Sequence, residues 1–138
     1  MDENSMITYR YMTKADVEQV EDMIFDFCNE AEIENIVYEG MIDRIMSGET
    51  RVIVAENGTI CGMAGYIISG PQFTGEFLYV KPEKRGTIIG GKLYGLAIED
   101  GREEKVNNFV VFASRGKASI YKKLGYEELC TVLRKREV

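Results

Sequence analysis

The chain has 138 residues, of which 45% are hydrophobic and 29% are charged, a composition typical of one globular domain spanning residues 1–138. Its net charge of −6 argues against a nucleic-acid partner. The sequence has no apolar run long enough to span a membrane and no signal-peptide pattern, so we expect a cytoplasmic protein with no membrane partner. The sequence has no histidine and only three widely spaced cysteines, which excludes His-dependent hydrolases and His-ligated metals and gives no sign of a disulfide framework or a zinc site.

Hydrophobic periodicity and turn signals predict ten alternating elements. In the first part they are a strand from Met6 to Tyr11, a helix after Thr13, a helix from about Glu34 to Met46, and strands from Arg51 to Glu56, Thr59 to Ile68 and Phe73 to Val80. There follow a helix from Ile89 toward Glu104, a buried-type strand from Phe109 to Ala113, a helix from Ala118 to Leu124 and a strand from Glu128 to Arg134. The order β-α-α-β-β-β-α-β-α-β combines an antiparallel meander with a parallel crossover. We therefore expect an α/β fold (an α+β mixed sheet) with helices on both faces.

The segment after the fourth predicted strand carries the strongest functional signal. Val80 to Leu93 has the sequence VKPEKRGTIIGGKL, in which a glycine turn leads into an amphipathic helix. Such a turn exposes backbone N–H groups at the positive end of the helix dipole, and this arrangement binds phosphate. Gly86 to Lys92 also fits the GxxxxGK of a P-loop, but Leu93 occupies the position of the Ser or Thr that holds magnesium. A nucleoside-triphosphate site is therefore the weaker interpretation.

Two motifs identify a family resemblance. The first is V-x-P-x-x-[RQ]-G-x-G-x-[GA], matched at Val80, Pro82, Arg85, Gly86 and Gly90. Ile88 departs from it, since a glycine is usual there. The second resembles A-x-x-[FL]-Y-x-x-[LM]-G-[FY]: Tyr121, Leu124, Gly125 and Tyr126 fit it, Ile120 takes the place of Phe or Leu, and Ala118 lies one residue nearer the tyrosine than the alanine of the motif. With both motifs at this spacing, the chain from Phe73 to Tyr126 resembles the GNAT superfamily of acyl-CoA-dependent N-acetyltransferases, in its small bacterial or phage form.

The resemblance implies that acetyl-CoA is the co-substrate and that no metal takes part. The pyrophosphate of coenzyme A would lie over the glycine turn, and its pantetheine arm would run beside the fourth strand where that strand is splayed from the fifth. The implied cofactor-binding residues are Leu78, Tyr79, Val80, Arg85, Gly86, Thr87, Ile88, Ile89, Gly90, Gly91, Ser114, Lys117 and Tyr121.

The implied chemistry is attack of a neutral amine on the acetyl thioester. Tyr121 would donate a proton to the leaving thiolate, and Glu76, at the start of the fourth strand, would act as the base. Ile120 and Leu124 should share the buried face of their helix and leave the Tyr121 ring between core and cleft. The alternatives are a packed aromatic and an exposed glutamate at a strand end. Because the cysteines have no activating basic neighbours, we expect direct attack in a ternary complex.

The acceptor carries no motif. Residues 1–50 contain 13 acidic and 3 basic residues, a net of −10, which leaves +4 for the remainder. This asymmetry indicates either a solvated surface or an approach route for a cationic amine of a small molecule or peptide. The alternative function is that of a non-catalytic acyl-CoA-binding sensor or interaction module, and homodimer formation stays open.

Overall fold

The described part of the chain folds into a five-stranded mixed sheet with helices on both faces. The computed structural model describes residues 6–31, 35–113, 117–129 and 135, without the side chains of residues 35–38. The strands are β1 (Thr8–Tyr11), β2 (Arg51–Glu56), β3 (Ile60–Ser69), β4 (Gln72–Val80) and β5 (Asn108–Val111). The helices are α1 (Val17–Glu30), α2 (Asn35–Met46), α3 (Ile89–Glu103) and α4 (Ala118–Lys123).

The sheet has the strand order β1-β2-β3-β4-β5. Strands β1 to β4 pair antiparallel, and β5 pairs parallel to β4. The predicted Asn57-Gly58 turn joins β2 to β3, with Gly58 at a φ of +95°, a left-handed conformation that glycine adopts freely. Helix α3 supplies the crossover that a parallel strand pair requires. The predicted mixed α/β architecture is confirmed.

Two hydrophobic cores lie on opposite faces of the sheet. Val52 and Val54 of β2 belong to the core formed with α1 and α2, whereas Ile53 and Ala55 belong to the core formed with α3. Successive strand residues point to opposite faces, so these helices cover opposite sides of the sheet. Among the described residues, no helix has the length and apolar character that crossing a membrane requires.

The strand ends differ from the sequence-based expectations. β1 begins at Thr8 rather than Met6, and β5 ends at Val111 rather than Ala113. The side chains of β5 from Phe109 to Val111 are half-buried rather than buried, because β5 is the edge of the described sheet. Glu128 and Leu129, expected to open a last strand, lie in no strand, and residues 130–134 fall outside the described residues.

The expected burial along α4 is wrong. Ile120 and Leu124 have exposed fractions of 52% and 55%, whereas Tyr121 is half-buried. At about 100° per residue, Ile120 and Leu124 lie to one side of Tyr121 around the helix, and it is the Tyr121 side that contacts the protein. A helix of six residues is too short for its apolar spacing to show which face is buried.

Candidate functional site

A cleft of about 1030 Å³ opens where β4 and β5 separate. Among the described residues, the two strands pair between Gln72–Gly75 of β4 and Asn108–Val111 of β5 and nowhere else. Beyond Gly75, β4 continues to Val80 without a partner on that edge among the described residues. The cleft is lined by residues of α1, β3, β4, α3 and α4 and of the turn that joins β4 to α3. The expected splay of the two parallel strands is therefore present.

A β-bulge at Glu76 accounts for this separation. Gly65 of β3 faces Phe77 while Tyr66 faces Gly75, so Glu76 has no partner on β3. A bulge bends its strand and increases the local twist, and it turns β4 away from β5. Gly65 is required at this point, because a Cβ there would lie 2.1 Å from the Phe77 ring.

The backbone of the splayed half of β4 is directed toward the cleft at alternate residues. The Lys81 N–H donates to the Cys61 carbonyl oxygen on β3 at 2.9 Å. Because neighbouring residues of a strand present their backbone groups to opposite edges, those of Val80 and Leu78 point away from β3. Tyr79 instead pairs with Met63 of β3, and its side chain is buried in the core beneath α1. Leu78 and Val80 thus offer hydrogen-bonding groups at the open edge, and Tyr79 does not.

The turn between β4 and α3 has the shape of a phosphate cradle. Gly86 adopts a φ of +79°, and α3 begins at Ile89, whose N–H donates to the Thr87 hydroxyl at 3.4 Å. Ile88 is 60% exposed, with φ at −80°, so an isoleucine at the usual glycine position causes no backbone strain. The Thr87 hydroxyl donates to the Lys84 carbonyl oxygen at 2.7 Å and fixes the turn.

Two glycines at the start of α3 are not required by packing. A Cβ on Gly90 would meet only Val80, at 3.6 Å, and a Cβ on Gly91 would meet nothing within 4 Å. Both residues also have ordinary helical backbones, since neither is among the five described glycines that have a positive φ. The space beside their N–H groups fits the close approach of an anionic group such as a pyrophosphate.

Arg85 is already engaged within the protein. Its Nη2 donates to Glu30 Oε2 at 2.7 Å, and its Nε donates to the Val80 carbonyl oxygen at 2.8 Å. The guanidinium carbon lies 5.2 Å from the centre of the Tyr79 ring. The hydrogen bond from Arg85 lowers the pKa of the Glu30 carboxyl. Together with Lys84 and Lys117, which also line the cleft, Arg85 makes this end of the cleft cationic.

Tyr121 is half-buried and lines the cleft from α4. Its ring meets Tyr126 edge to face, with ring centres 5.6 Å apart. The Tyr126 hydroxyl forms a 2.8 Å hydrogen bond with the Tyr94 hydroxyl. Burial, and then the nearby Tyr94, raises the pKa of Tyr121 above its usual value of 10. The phenol is therefore protonated at neutral pH, as a proton donor must be.

Glu76 lies in the middle of β4, at the bulge, and not at the strand start where it was expected. Its side chain is only 10% exposed, although it lines the cleft. Arg44 Nη2 donates to Oε2 at 2.6 Å, and the Thr50 hydroxyl donates to Oε1. The alternative of an exposed glutamate at a strand end is therefore wrong.

The remaining expectations concern the cysteines and Ser114. Cys28 and Cys61 are buried, and burial raises the pKa of each thiol, as expected of inert cysteines. Ser114, implied as a cofactor contact, lies outside the described residues, as does Cys130.

No pattern in the sequence indicated Glu30, Arg44 or Thr50. Glu30 ends α1, Arg44 lies in the last turn of α2, and Thr50 precedes β2. Their partners are 55, 32 and 26 residues away in the chain. Contacts of this kind are set by the tertiary fold, so no local signal could have revealed them.

Comparison with known proteins agrees with this geometry. The profile of the acetyltransferase (GNAT) domain family matches residues 48–128, which is more than half of the chain. The chain belongs to this family. It is accordingly an acyl-CoA-dependent N-acetyltransferase. A search of curated proteins finds no match.

Solved structures share the fold over nearly the whole chain. One is a predicted acetyltransferase from Clostridium acetobutylicum with acetyl-CoA, at 18% identity and a TM-score of 0.74, covering 94% of this chain and 96% of that one. Another is the PaiA N-acetyltransferase from Thermoplasma acidophilum in complex with coenzyme A (18%, 0.72, 91% and 92%). A third is an aminoglycoside acetyltransferase, meta-AAC0020, from an uncultured soil metagenomic sample, in complex with sisomicin (16%, 0.76, 99% and 100%). At these identities the similarity shows a common GNAT fold.

Proposed function

We propose that this enzyme transfers the acetyl group of acetyl-CoA to a primary amine of a small molecule or peptide by direct attack in a ternary complex. The observation that carries the proposal is the cleft at the β4–β5 splay. It has a glycine cradle and lysines at one end, and both Glu76 and Tyr121 line it. Acetyl-CoA supplies the thioester that the amine attacks.

The cradle and the open edge of β4 suit the two halves of coenzyme A. The N–H groups of the first turn of α3, from Ile89 to Gly91, would hold the pyrophosphate at the positive end of the helix dipole. Lys84 and Lys117 would add cationic charge for the phosphates. The uncharged pantetheine amides would pair with the backbone groups of Leu78 and Val80. This arrangement requires the guanidinium of Arg85 to leave the Val80 carbonyl oxygen or to share it.

Glu76 and Tyr121 would each move one proton of the reaction. An amine of pKa near 10 is protonated at neutral pH and must first lose one proton to water. As the neutral amine attacks and the C–N bond forms, the Glu76 carboxylate would accept the second proton from the nitrogen, and as the C–S bond breaks, the Tyr121 phenol would donate its proton to the departing thiolate. The raised pKa of Tyr121 means that the phenol carries this proton at neutral pH.

A direct transfer is favoured over an acetyl-enzyme intermediate. A cysteine nucleophile needs an exposed thiol with a lowered pKa. Cys28 and Cys61 are both buried with raised pKa values, the opposite condition. Neither of the cysteines that the structure describes therefore fits the role of an acetyl carrier, which favours attack of the amine on the thioester itself.

Acidic residues on α1 support a cationic acceptor. Glu18, Asp22, Asp26 and Glu30 are all exposed and follow one another at i, i+4 spacing; we call them the α1 acidic stripe. Like charges at this spacing destabilise a helix by roughly 0.2–0.5 kcal/mol per pair. Glu30 lines the cleft but is paired with Arg85, so the field that would draw a cationic amine toward the site comes from Glu18, Asp22 and Asp26.

One observation favours the alternative of a non-catalytic acyl-CoA binder. Both oxygens of Glu76 already accept hydrogen bonds from Arg44 and Thr50, which limits their freedom to act as a base. Amine-dependent turnover separates the two functions, because a binder would hold acetyl-CoA without releasing thiol in the presence of any amine.

Calorimetric titration tests the cofactor. We expect acetyl-CoA to bind with a measurable heat and ATP with magnesium to give none. Binding of ATP with magnesium and no affinity for coenzyme A would end the acetyltransferase proposal and return the glycine turn to the P-loop interpretation.

A further inference from the structure

The end of α2 and the start of β2 form a support behind Glu76. The Arg44 carbonyl oxygen accepts a 3.0 Å hydrogen bond from the Thr50 N–H, so the loop between them is closed. Thr50 is 4% exposed. Glu76 lines the cleft, whereas Arg44 and Thr50 are not among the residues that do. Glu76 thus lies between the cleft and the two side chains that bind its carboxylate.

Contacts with Arg44 and Thr50 fix the direction of the Glu76 side chain, which strand pairing does not fix. Glu76 has no partner on β3 because it is the extra residue of the bulge, so strand pairing alone does not fix its direction. A carboxylate that is 10% exposed is unfavourable unless it is paired and hydrogen-bonded. The Arg44 guanidinium supplies the charge, and the Thr50 hydroxyl supplies a further donor.

The hydrogen-bond count leaves room for one more partner. Three donor hydrogens reach the carboxylate, from Arg44 Nε, Arg44 Nη2 and Thr50 Oγ1. An ionised carboxylate has about four acceptor positions. The Glu76 carboxylate therefore has about one acceptor position left, and its three existing hydrogen bonds hold it in place.

We propose that Arg44 and Thr50 are positioning residues that hold the Glu76 carboxylate in one orientation, with its one remaining acceptor position directed at the acceptor amine. The inference rests on the proposed function, in which the amine nitrogen passes a proton to a Glu76 oxygen. Neither residue touches the substrate; both act through Glu76. The competing role is structural, in which the pair only ties α2 to β4.

Removing one donor hydrogen tests the proposal. Thr50→Val keeps the shape of the side chain and removes the hydroxyl, and Thr50→Ser restores it. We expect Thr50→Val to lower kcat by roughly tenfold or more, because a hydrogen bond to a charged group is lost. The Kd for acetyl-CoA should stay within about twofold, and Thr50→Ser should recover most of the rate. Thr59→Val, on the exposed turn between β2 and β3, is the matched control and should leave kcat unchanged.

A double-mutant cycle shows whether Thr50 acts through Glu76. In a Glu76→Gln background, Thr50→Val should have almost no further effect on kcat. An equal loss in both backgrounds, or a lower Tm with an unchanged kcat, would overturn the positioning role. If Thr50→Val does not fold, the same double-mutant cycle with Arg44→Lys tests the positioning role. This substitution keeps the positive charge but removes the pair of guanidinium N–H groups that bind Glu76.

Failure of the proposed acetyl transfer can be distinguished from failure of the positioning role of Arg44 and Thr50. A wild-type enzyme without acetyl-CoA binding or amine-dependent turnover would refute the proposed function before any variant is made. A wild-type enzyme that turns over, combined with a Glu76→Gln variant of full activity, would refute the base role of Glu76 and the inference that rests on it, but not acetyl transfer to an amine.

Discussion

Substitution of Gly90 separates the needs of the fold from those of the cofactor site. A Cβ at this position meets only Val80, at an ordinary contact distance of 3.6 Å, so Gly90→Ala and Gly90→Val should fold. The matched control is Gly95, in the middle of the same helix, where a Cβ meets nothing within 4 Å. Gly95 does not line the cleft, whereas Gly90 does.

The two sites should respond in opposite ways. Gly95→Ala should raise the free energy of unfolding by roughly 0.5–1 kcal/mol, since glycine is unfavourable in a helix interior, and should leave acetyl-CoA binding unchanged. At Gly90 the added carbons would keep the pyrophosphate from the backbone N–H groups. Loss of one hydrogen bond to a charged group, roughly 1.5–3 kcal/mol, raises the Kd by about ten- to a hundredfold, and valine should have the larger effect.

Calorimetry with acetyl-CoA, together with thermal unfolding of each variant, measures both effects. The reasoning is refuted if Gly90→Val binds acetyl-CoA with the wild-type Kd while remaining folded, because the phosphates then do not approach the start of α3. A loss of binding in Gly95→Ala would equally show that the effect is transmitted through the helix and not made at the cradle.

Three further outcomes are expected. Tyr121→Phe should lower kcat by roughly 10²–10⁴-fold with coenzyme A affinity nearly intact; a kcat within a factor of two of the wild type would make Tyr121 structural. Glu30→Gln should tighten acetyl-CoA binding by up to about fivefold, because it releases Arg85 from an exposed ion pair worth roughly 0.2–1 kcal/mol and removes a negative charge beside an anionic ligand. Weaker binding would show that Glu30 holds Arg85 in its binding position, and Glu18→Gln, remote from the cleft on the same helix, is the control. The KM for a polycationic amine should rise with ionic strength between 0.01 M and 0.1 M, as the screening length falls from about 30 Å to about 10 Å; a flat KM would mean that the α1 acidic stripe is only a solvated surface.

The sequence predicted the fold because its local signals agree with one another. The Asn57-Gly58 turn, the glycine-led start of α3 at Ile89 and the alternation in β2 each specify one conformation, and their order leaves few topologies. Hydrophobic periodicity was less informative in short elements. α4 has six residues, and its apolar spacing at Ile120 and Leu124 indicated the wrong buried face.

The site was predictable only where a local motif exists. The turn at Gly86 and the cleft position of Tyr121 follow from residues close together in the chain. The bulge at Glu76 depends instead on how β3 pairs with β4, and its support by Arg44 depends on where α2 ends. Neither feature has a local pattern, because both are set by contacts between residues far apart in the chain.

Thiol release from acetyl-CoA, measured with and without a panel of primary amines, tests the central claim most directly. The panel should include polyamines, amino acids, aminoglycosides and peptide N-termini, since the acceptor carries no motif. We predict thiol release that depends on at least one of these amines, with formation of the matching N-acetylated product. Tight binding of acetyl-CoA without amine-dependent release from any class would contradict the account and identify the protein as a non-catalytic acyl-CoA binder.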